Sequence, residues 1–423
     1  MPIVNYLVDD QKKLMKEVYG DYLEKQFIQT SPLFGTMKRI VGPFGKEKVI
    51  TFRGSVGSGL GAAGVNANLP ESSNHKILEA RLQTKRFYGT VTFDNEAIVA
   101  SKTSVDAFVS LFKEHNEVLV TAFNIDKERQ LIRNDIAGAG ILASASAAPV
   151  IGAGTDVSPY VVTLSTVDPL FMFEEGHLVN LGSETTNLVV ELVDDVAKTI
   201  SLVGTSNILS TSATTNAAIP SGDSRNIYMQ GSKNQEWAGL LGVCLATSGT
   251  YKGQEITRRW RATQITAPAN TTINTPLLNK LVIDMITKTG VKPKMILMGP
   301  VQFGLYIDQL EDQKRYNTPV SIKANGKFAA QVSYEGVEFM STMGPIPVVQ
   351  SRFVPSTVVF AVNTDHIELH MREEFKWMAQ DHTNSVLQQV PGKDQYSAYY
   401  GGYSDLFINP FFQGIISGLA TEE

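Results

Sequence analysis

Three groupings of residues in this chain have types and spacings that could do chemistry. Gly59, Gly61 and Gly64, in the run Gly59-Leu60-Gly61-Ala62-Ala63-Gly64, satisfy a G-x-G-x-x-G pattern behind a predicted strand, with Glu79 downstream for a ribose contact. That chemistry needs a helix opening at the last glycines so that its amides face a pyrophosphate, and Asn66, Asn68 and Pro70 oppose one. The tract therefore reads as a loop tip, with a nicotinamide enzyme as the alternative. His366, Glu368 and His370 alternate along a predicted strand, which puts three ligand types on one sheet face. That face is either a metal site or a plain polar surface, and it lacks the helical i, i+4 geometry of H-E-x-x-H. Arg258, Arg259 and Arg261 flank Trp260, a set that could meet phosphate and stack on bases, or receive a neighbour's carboxylates. In an acidic chain the second reading is preferred, with Asp308, Glu311 and Asp312 as acidic candidates. His75, His115, His177 and His382 have no ligand spacing around them, and no serine occupies a G-x-S-x-G elbow. No catalytic residue, metal or cofactor is expected.

Composition narrows the classes further. At 423 residues the chain should form two or three domains, or one domain with large insertions. Apolar residues make up 43% and charged residues 19%, so the chain should fold and bury much of itself in interfaces. A net charge of −5 opposes a role as a whole-chain nucleic-acid binder, which needs excess cations. Cys244 is the single cysteine, which excludes an internal disulfide framework, fits a reducing compartment and reads as a small buried hydrophobe. The start has no basic stretch followed by an apolar one, and no run approaches the roughly 18 apolar residues of a membrane span. Neither export by such a signal nor membrane insertion is expected.

The elements that must position these residues follow from periodicity. Leu14, Met15, Val18, Tyr19, Tyr22, Leu23 and Phe27 predict an amphipathic helix over 9–29 that must lean on something else. Residues 46–56 and 76–93 read as two long strands, the second with Ile77, Leu82, Phe87, Val91 and Phe93 as its apolar set. Between them a Gly, Asn and Ser tract over 57–74 forms a finger that, at ~3.3 Å per residue, could project roughly 60 Å. A two-stranded ribbon is marginal in water, so the finger is expected to fold against a neighbour. Thr103 and Asp106 open a helix running to about residue 134, a strut roughly 48 Å long. Residues 137–149 read as a linker, and 155–231 as a barrel-like β-domain with its own core. Thr275 as N-cap, Pro276, an apolar stripe and Gly290 mark a further helix, followed by a strand at 294–298, a helix from Pro300, strands over 331–370 and an aromatic tail.

This order, with FDNEAIVASK over 93–102, Trp237-Ala-Gly-Leu-Leu-Gly, Thr250-Tyr-Lys-Gly, Lys292-Pro-Lys-Met-Ile-Leu-Met and Val354-Pro355, resembles the major capsid protein of tailed bacteriophages, the Hong Kong 97-type shell fold. The resemblance covers nearly the entire chain. It implies an α+β fold with an N-terminal arm (1–43), an extended loop (44–97), the spine-helix region of a peripheral domain (98–150), an inserted β-domain (151–231) and an axial domain with the remainder of the peripheral domain (232–423). It further implies a non-enzymatic subunit of hexamers and pentamers in an icosahedral head enclosing double-stranded DNA, a virion component assembled in host cytoplasm. Implied partners are copies of the chain, a separate scaffolding protein, a portal, decoration proteins and DNA held by confinement, with no membrane. Because the arm helix begins within ten residues of Met1, no cleavage of the chain is expected. The candidate inter-subunit residues are Arg53, Gly57, Gly59, Gly61, Gly64, Lys76, Arg81, Lys85, Arg86, Arg258, Arg259 and Arg261. Some relatives crosslink a loop lysine to a neighbour's asparagine, and Lys76 and Lys85 are placed for it, as lysines on any surface strand would be. The alternatives are an encapsulin-like cellular compartment, a dinucleotide-dependent enzyme, and a tail or host-attachment protein built on the β-insertion.

Overall fold

The computed structural model describes residues 32–43, 45–55, 60–65, 68, 70–71, 74–96, 105–146, 149–150, 159–166, 169–182, 187–204, 217–218, 225–312, 320–321, 333–334, 337–378 and 386–421. The helix expected over 9–29 lies outside these residues, as does Thr103. Helices and strands are mixed along the whole chain, as an α+β fold requires.

One sheet is organised by the strand Gln395–Ile408, whose 14 residues pair antiparallel with Lys85–Asp94 at one end and with Ile367–Met371 at the other. Strand Lys38–Val41 extends the sheet in parallel with Ile367–Met371. The strut helix Val105–Arg133, 29 residues or about 44 Å long, packs on this sheet through Phe123, whose ring meets Phe375 and Tyr400 edge-on at 5.0 and 5.3 Å. Its C-terminal turns, with Leu131 and Ile132, are buried against helix Leu240–Leu245, which carries Cys244 into the same core.

A second six-stranded sheet runs in the order Thr263–Thr266, Gly414–Ser417, Val358–Val362, Met295–Met298, Gly344–Gln350, Val337–Ser341. Its two central strands, Met295–Met298 and Val358–Val362, are buried at every position, as continuous apolar runs are when both faces are covered. Helix Thr275–Thr289 covers one face with Leu278, Leu281, Val282 and Met285. Its N-cap is Asn274, whose side chain accepts the Leu277 amide at 2.9 Å, so the cap lies one residue before the expected Thr275. Gly290, at φ 76°, closes it in the left-handed conformation.

The inserted domain is a third sheet, in the order Ile141–Ser144, Asn226–Met229, Leu178–Leu181, Leu188–Asp194, Thr199–Val203, Tyr160–Thr163. Its two edge strands meet: Ala145 bridges Leu164, the Ser146 amide donates to the Thr163 carbonyl at 2.7 Å, and the Ser165 amide to the Ser144 carbonyl at 2.9 Å. These bonds close the sheet as a small barrel, which removes its edges. Tyr160, Val162, Leu188, Val190, Ile200 and Leu202 fill a core of their own. The expected linker over 137–149 is thus corrected: four of its residues, Ile141–Ser144, are a barrel strand. Leu142 and Ala143 in it are buried, so small side chains there serve packing and not flexibility.

Candidate functional site

The ribbon forms from strands Lys48–Arg53 and Ile77–Leu82, paired antiparallel from Lys48 opposite Leu82 to Arg53 opposite Ile77. The single strand expected over 76–93 is two strands with different partners, because the chain turns at Gln83 and Thr84 and leaves the ribbon for the sheet. Alternation places Leu78, Ala80 and Leu82 on the inner face, all buried, and Ile77 outside at 55% exposure, which corrects its expected place in the apolar set. Phe52, opposite Leu78, stacks on Trp260 with centroids 4.6 Å apart, and the Arg81 amide donates to the Lys252 carbonyl at 2.8 Å. The base of the finger is therefore folded onto its own chain, against the expectation that the ribbon depends on a neighbour throughout. The buried aromatic group of Trp260, Tyr251 and Phe407 provides a floor that the sequence alone does not reveal.

The tip differs. Residues 60–65 form no helix or strand and are all exposed, Leu60 at 93% and Val65 at 98%. The outer face of the ribbon, with Val49, Thr51, Arg53, Ile77, Glu79 and Arg81, is exposed as well. Gly54, where the chain leaves the ribbon, passes so close to Leu78 that a Cβ would lie 2.6 Å from its Cγ; the crossing requires glycine. Arg81 lies 3.6 Å from Glu47 and 4.0 Å from Glu79 across exposed surface. Lys76 and Arg86 are exposed, whereas the Lys85 ammonium donates to the Asn234 carbonyl of the same chain at 3.0 Å. Gly57 and Gly59 lie outside the described residues.

Where the ribbon meets the body, Asp405 acts as a hub that sequence reasoning missed. Its carboxylate is 1% exposed, accepts the Lys252 ammonium on both oxygens at 2.6 Å, and also accepts the Gln83 and Leu406 amides at 3.0 and 2.9 Å. A separation of 322 residues between Gln83 and Asp405 leaves no local signal for this contact.

Arg258, Arg259 and Arg261 are exposed, but Trp260 between them is fully buried, because a short 3-10 turn over Arg258–Trp260 directs the indole into the core. Base stacking through Trp260 is thereby excluded. The Arg259 guanidinium lies 5.7 Å from the Phe411 ring and the Lys288 ammonium 5.2 Å from the same ring, while Lys288 also donates to the Arg261 carbonyl. Four cations converge there from two elements, and Lys288 is the member that the sequence did not suggest.

The other motifs dissolve. No helix follows Gly64 before strand Ile77–Leu82 among the described residues, so a pyrophosphate would meet no helix N-terminus there, and the dinucleotide reading falls. His366 is separated from the other two residues of its trio because Thr364–His366 is a 3-10 turn and the strand begins at Ile367. Its ring stacks on Phe412 at 3.6 Å instead. His370 and Glu368 remain together at 3.0 Å, and Lys48 and Lys38 complete the row at 3.1 Å each. The hydrogen bond from His370, outweighing burial, holds the Glu368 carboxyl down at about 2. This is a charge row between strands, and the described residues contain no group of three metal-ligating side chains. No helix among them is long and apolar enough to cross a membrane.

No family model matches the chain, and no curated sequence matches it. Among solved structures its fold is similar to that of a chain in the cyanophage A-1(L) capsid asymmetric unit, with a TM-score of 0.55 and 12% identity, over 97% of this chain and 98% of that one. The capsid of a native GTA particle aligns at 0.48 and 9% identity over 96% and 95% of the two chains. The holo-SrpI encapsulin complex from Synechococcus elongatus aligns at 0.44 and 7% over 98% and 96%. The first likeness establishes the fold expected from the order of elements, over the full length; the other two are too loose to weigh between shells of different contents.

Proposed function

We propose that this chain is the major shell protein of a tailed-phage head, assembling as hexamers and pentamers into an icosahedral container for double-stranded DNA. The observation that carries the reading is the likeness to a chain of a capsid asymmetric unit over 97% of this chain and 98% of that one, a likeness of nearly the whole fold and not of one module. The ribbon supports it: its base is anchored on the body, while its outer face and tip are left for other copies. The mechanism is assembly without bond chemistry. Contacts too weak singly are repeated at every interface of a closed lattice, and obligate interfaces of this type bury upwards of ~2,000 Å². A separate scaffolding protein, a portal and decoration proteins would complete the head, and the virion would be its location.

Expression of the full chain, with and without a scaffolding partner, followed by negative-stain microscopy should give megadalton particles. A chain that stays monomeric under both conditions would overturn the reading. Deleting 57–74 should leave a folded subunit, since Phe52, Leu78, Ala80 and Leu82 still hold the base, but no shells. Normal shells from that variant would remove the tip from the mechanism.

A further inference from the structure

The charges of the chain are unevenly distributed. Over 151–231 nine Asp and Glu stand against two Lys and Arg, a net of −7; since the whole chain carries −5, everything outside this segment carries +2. The acid surplus therefore belongs to this segment, and among the described residues the barrel carries Glu174, Glu175, Glu191, Asp194 and Asp195 against Lys198 and Arg225. Glu175 and Asp195 are exposed on it and Glu191 is half-buried on strand Leu188–Asp194. At the tip of the following hairpin Val196 is 93% exposed, so the turn that carries Asp195 is presented to solvent.

The arginine patch shows the opposite imbalance. Arg258, Arg259 and Arg261 are exposed and make no ion pair among the described residues, and Lys288 lies among them. Burial is the main cause that pushes the Lys288 ammonium down to about 8, and the neighbouring Arg261 and Arg258 add to it. Like charges held together on a surface, with no anion between them, are relieved by an anion from another molecule. Phosphate and carboxylate would both serve. Trp260 is buried and offers no stacking surface for bases, whereas every copy of the chain brings a carboxylate surplus of its own.

We propose that the arginine patch of one copy receives the acidic barrel of a second copy. The inference rests on the shell reading and adds to it the pair of surfaces that dock. A patch meeting a different patch is a heterologous contact, which propagates around a ring, whereas two barrels or two patches facing each other would repel.

The test uses full-length chains. One variant reverses the patch (R258E/R259E/R261E), one reverses the barrel (E175K/E191K/D195K), and one carries all six changes; circular dichroism confirms that each is folded. Shell formation is followed by light scattering. Each half-reversed variant should assemble at least about tenfold more slowly than the wild type, as should the wild type on raising salt, and the sixfold variant should recover. Wild-type assembly by either half-reversed variant, or no recovery in the folded sixfold variant, would overturn the proposal. So would a patch reversal that leaves assembly intact but abolishes binding of a 20-base-pair DNA duplex, since that would make the patch a nucleic-acid site. Should the wild type form no shells at all, the shell reading fails by itself. The same variants then test the contact by sedimentation velocity of the free chains, where salt-sensitive association that is lost in each half and regained in the sixfold variant is expected, and its absence overturns the contact.

Discussion

Glu128 is a carboxylate sealed in the core with no cation facing it among the described residues: it accepts the Leu33 and Phe34 amides at 3.2 and 2.7 Å, and so ties the short helix Pro32–Thr36 to the strut. Its neighbours in sequence turn elsewhere. The Lys127 ammonium lies 3.3 Å from the Phe87 centroid, and Arg129 bridges Asp126 and Glu236 at 2.7 and 2.6 Å. Burial outweighs the two amides and raises the Glu128 carboxyl from 4.5 to about 7. A group protonated more readily when folded than when unfolded stabilises the fold below the lower value and loses that contribution as pH rises through the higher one. Between pH 4.5 and 7 the loss amounts to about 3 kcal/mol at the usual conversion of pKa to free energy. Urea denaturation at pH 5 and pH 8 should therefore show a drop for the wild type that is largely absent in Glu128→Gln, which keeps an acceptor but cannot ionise. An equal drop in both proteins would assign the dependence to other groups.

The strands and helices were largely legible where burial is periodic. The alternating β-runs of the barrel, the stripe Leu278, Leu281, Val282, Met285 and the continuous apolar run Met295–Met298 all announce their faces through spacing alone. What spacing cannot convey is which strand finds which partner. The chain over 76–93 carries one uninterrupted β signal, yet Gln83 breaks it because a distant carboxylate waits there, and Ile141–Ser144 is short and small enough to pass for a linker. The arginine patch was visible as a run, but the burial of Trp260 was not, since its floor comes from Phe52, Tyr251 and Phe407. The ribbon's attachment can be tested as an element. Asp405→Ala leaves the Lys252 ammonium, 12% exposed, without its partner and two amides without an acceptor. Breaking a buried pair from one side typically costs about 3–5 kcal/mol, so a loss of that order in unfolding free energy is expected, with faster proteolysis near Gln83. A loss under about 1 kcal/mol would show that Phe52 and the inner face of Ile77–Leu82 hold the ribbon without the hub.

At the scale of the molecule, the charge arithmetic bears on whether the chain grips DNA. A protein that grips a duplex by its phosphates needs cations in excess, and each neutralised phosphate adds its share to the dependence on salt. Here the chain is acidic overall, the acid surplus falls in the segment 151–231, and the exposed group Arg258, Arg259 and Arg261 is proposed to meet a neighbour's carboxylates. If the chain forms the proposed shell, closure around the contents does not require strong attraction for them. The free subunit is accordingly expected to bind a 20-base-pair duplex no more tightly than the ~10⁻⁴–10⁻⁶ M of non-specific association at physiological salt. Fluorescence anisotropy of a labelled duplex, titrated with subunit at several salt concentrations, measures this directly. Nanomolar affinity with a steep salt slope would mean that the chain carries a genuine phosphate-binding face, and would count against the proposal that DNA is held by confinement alone.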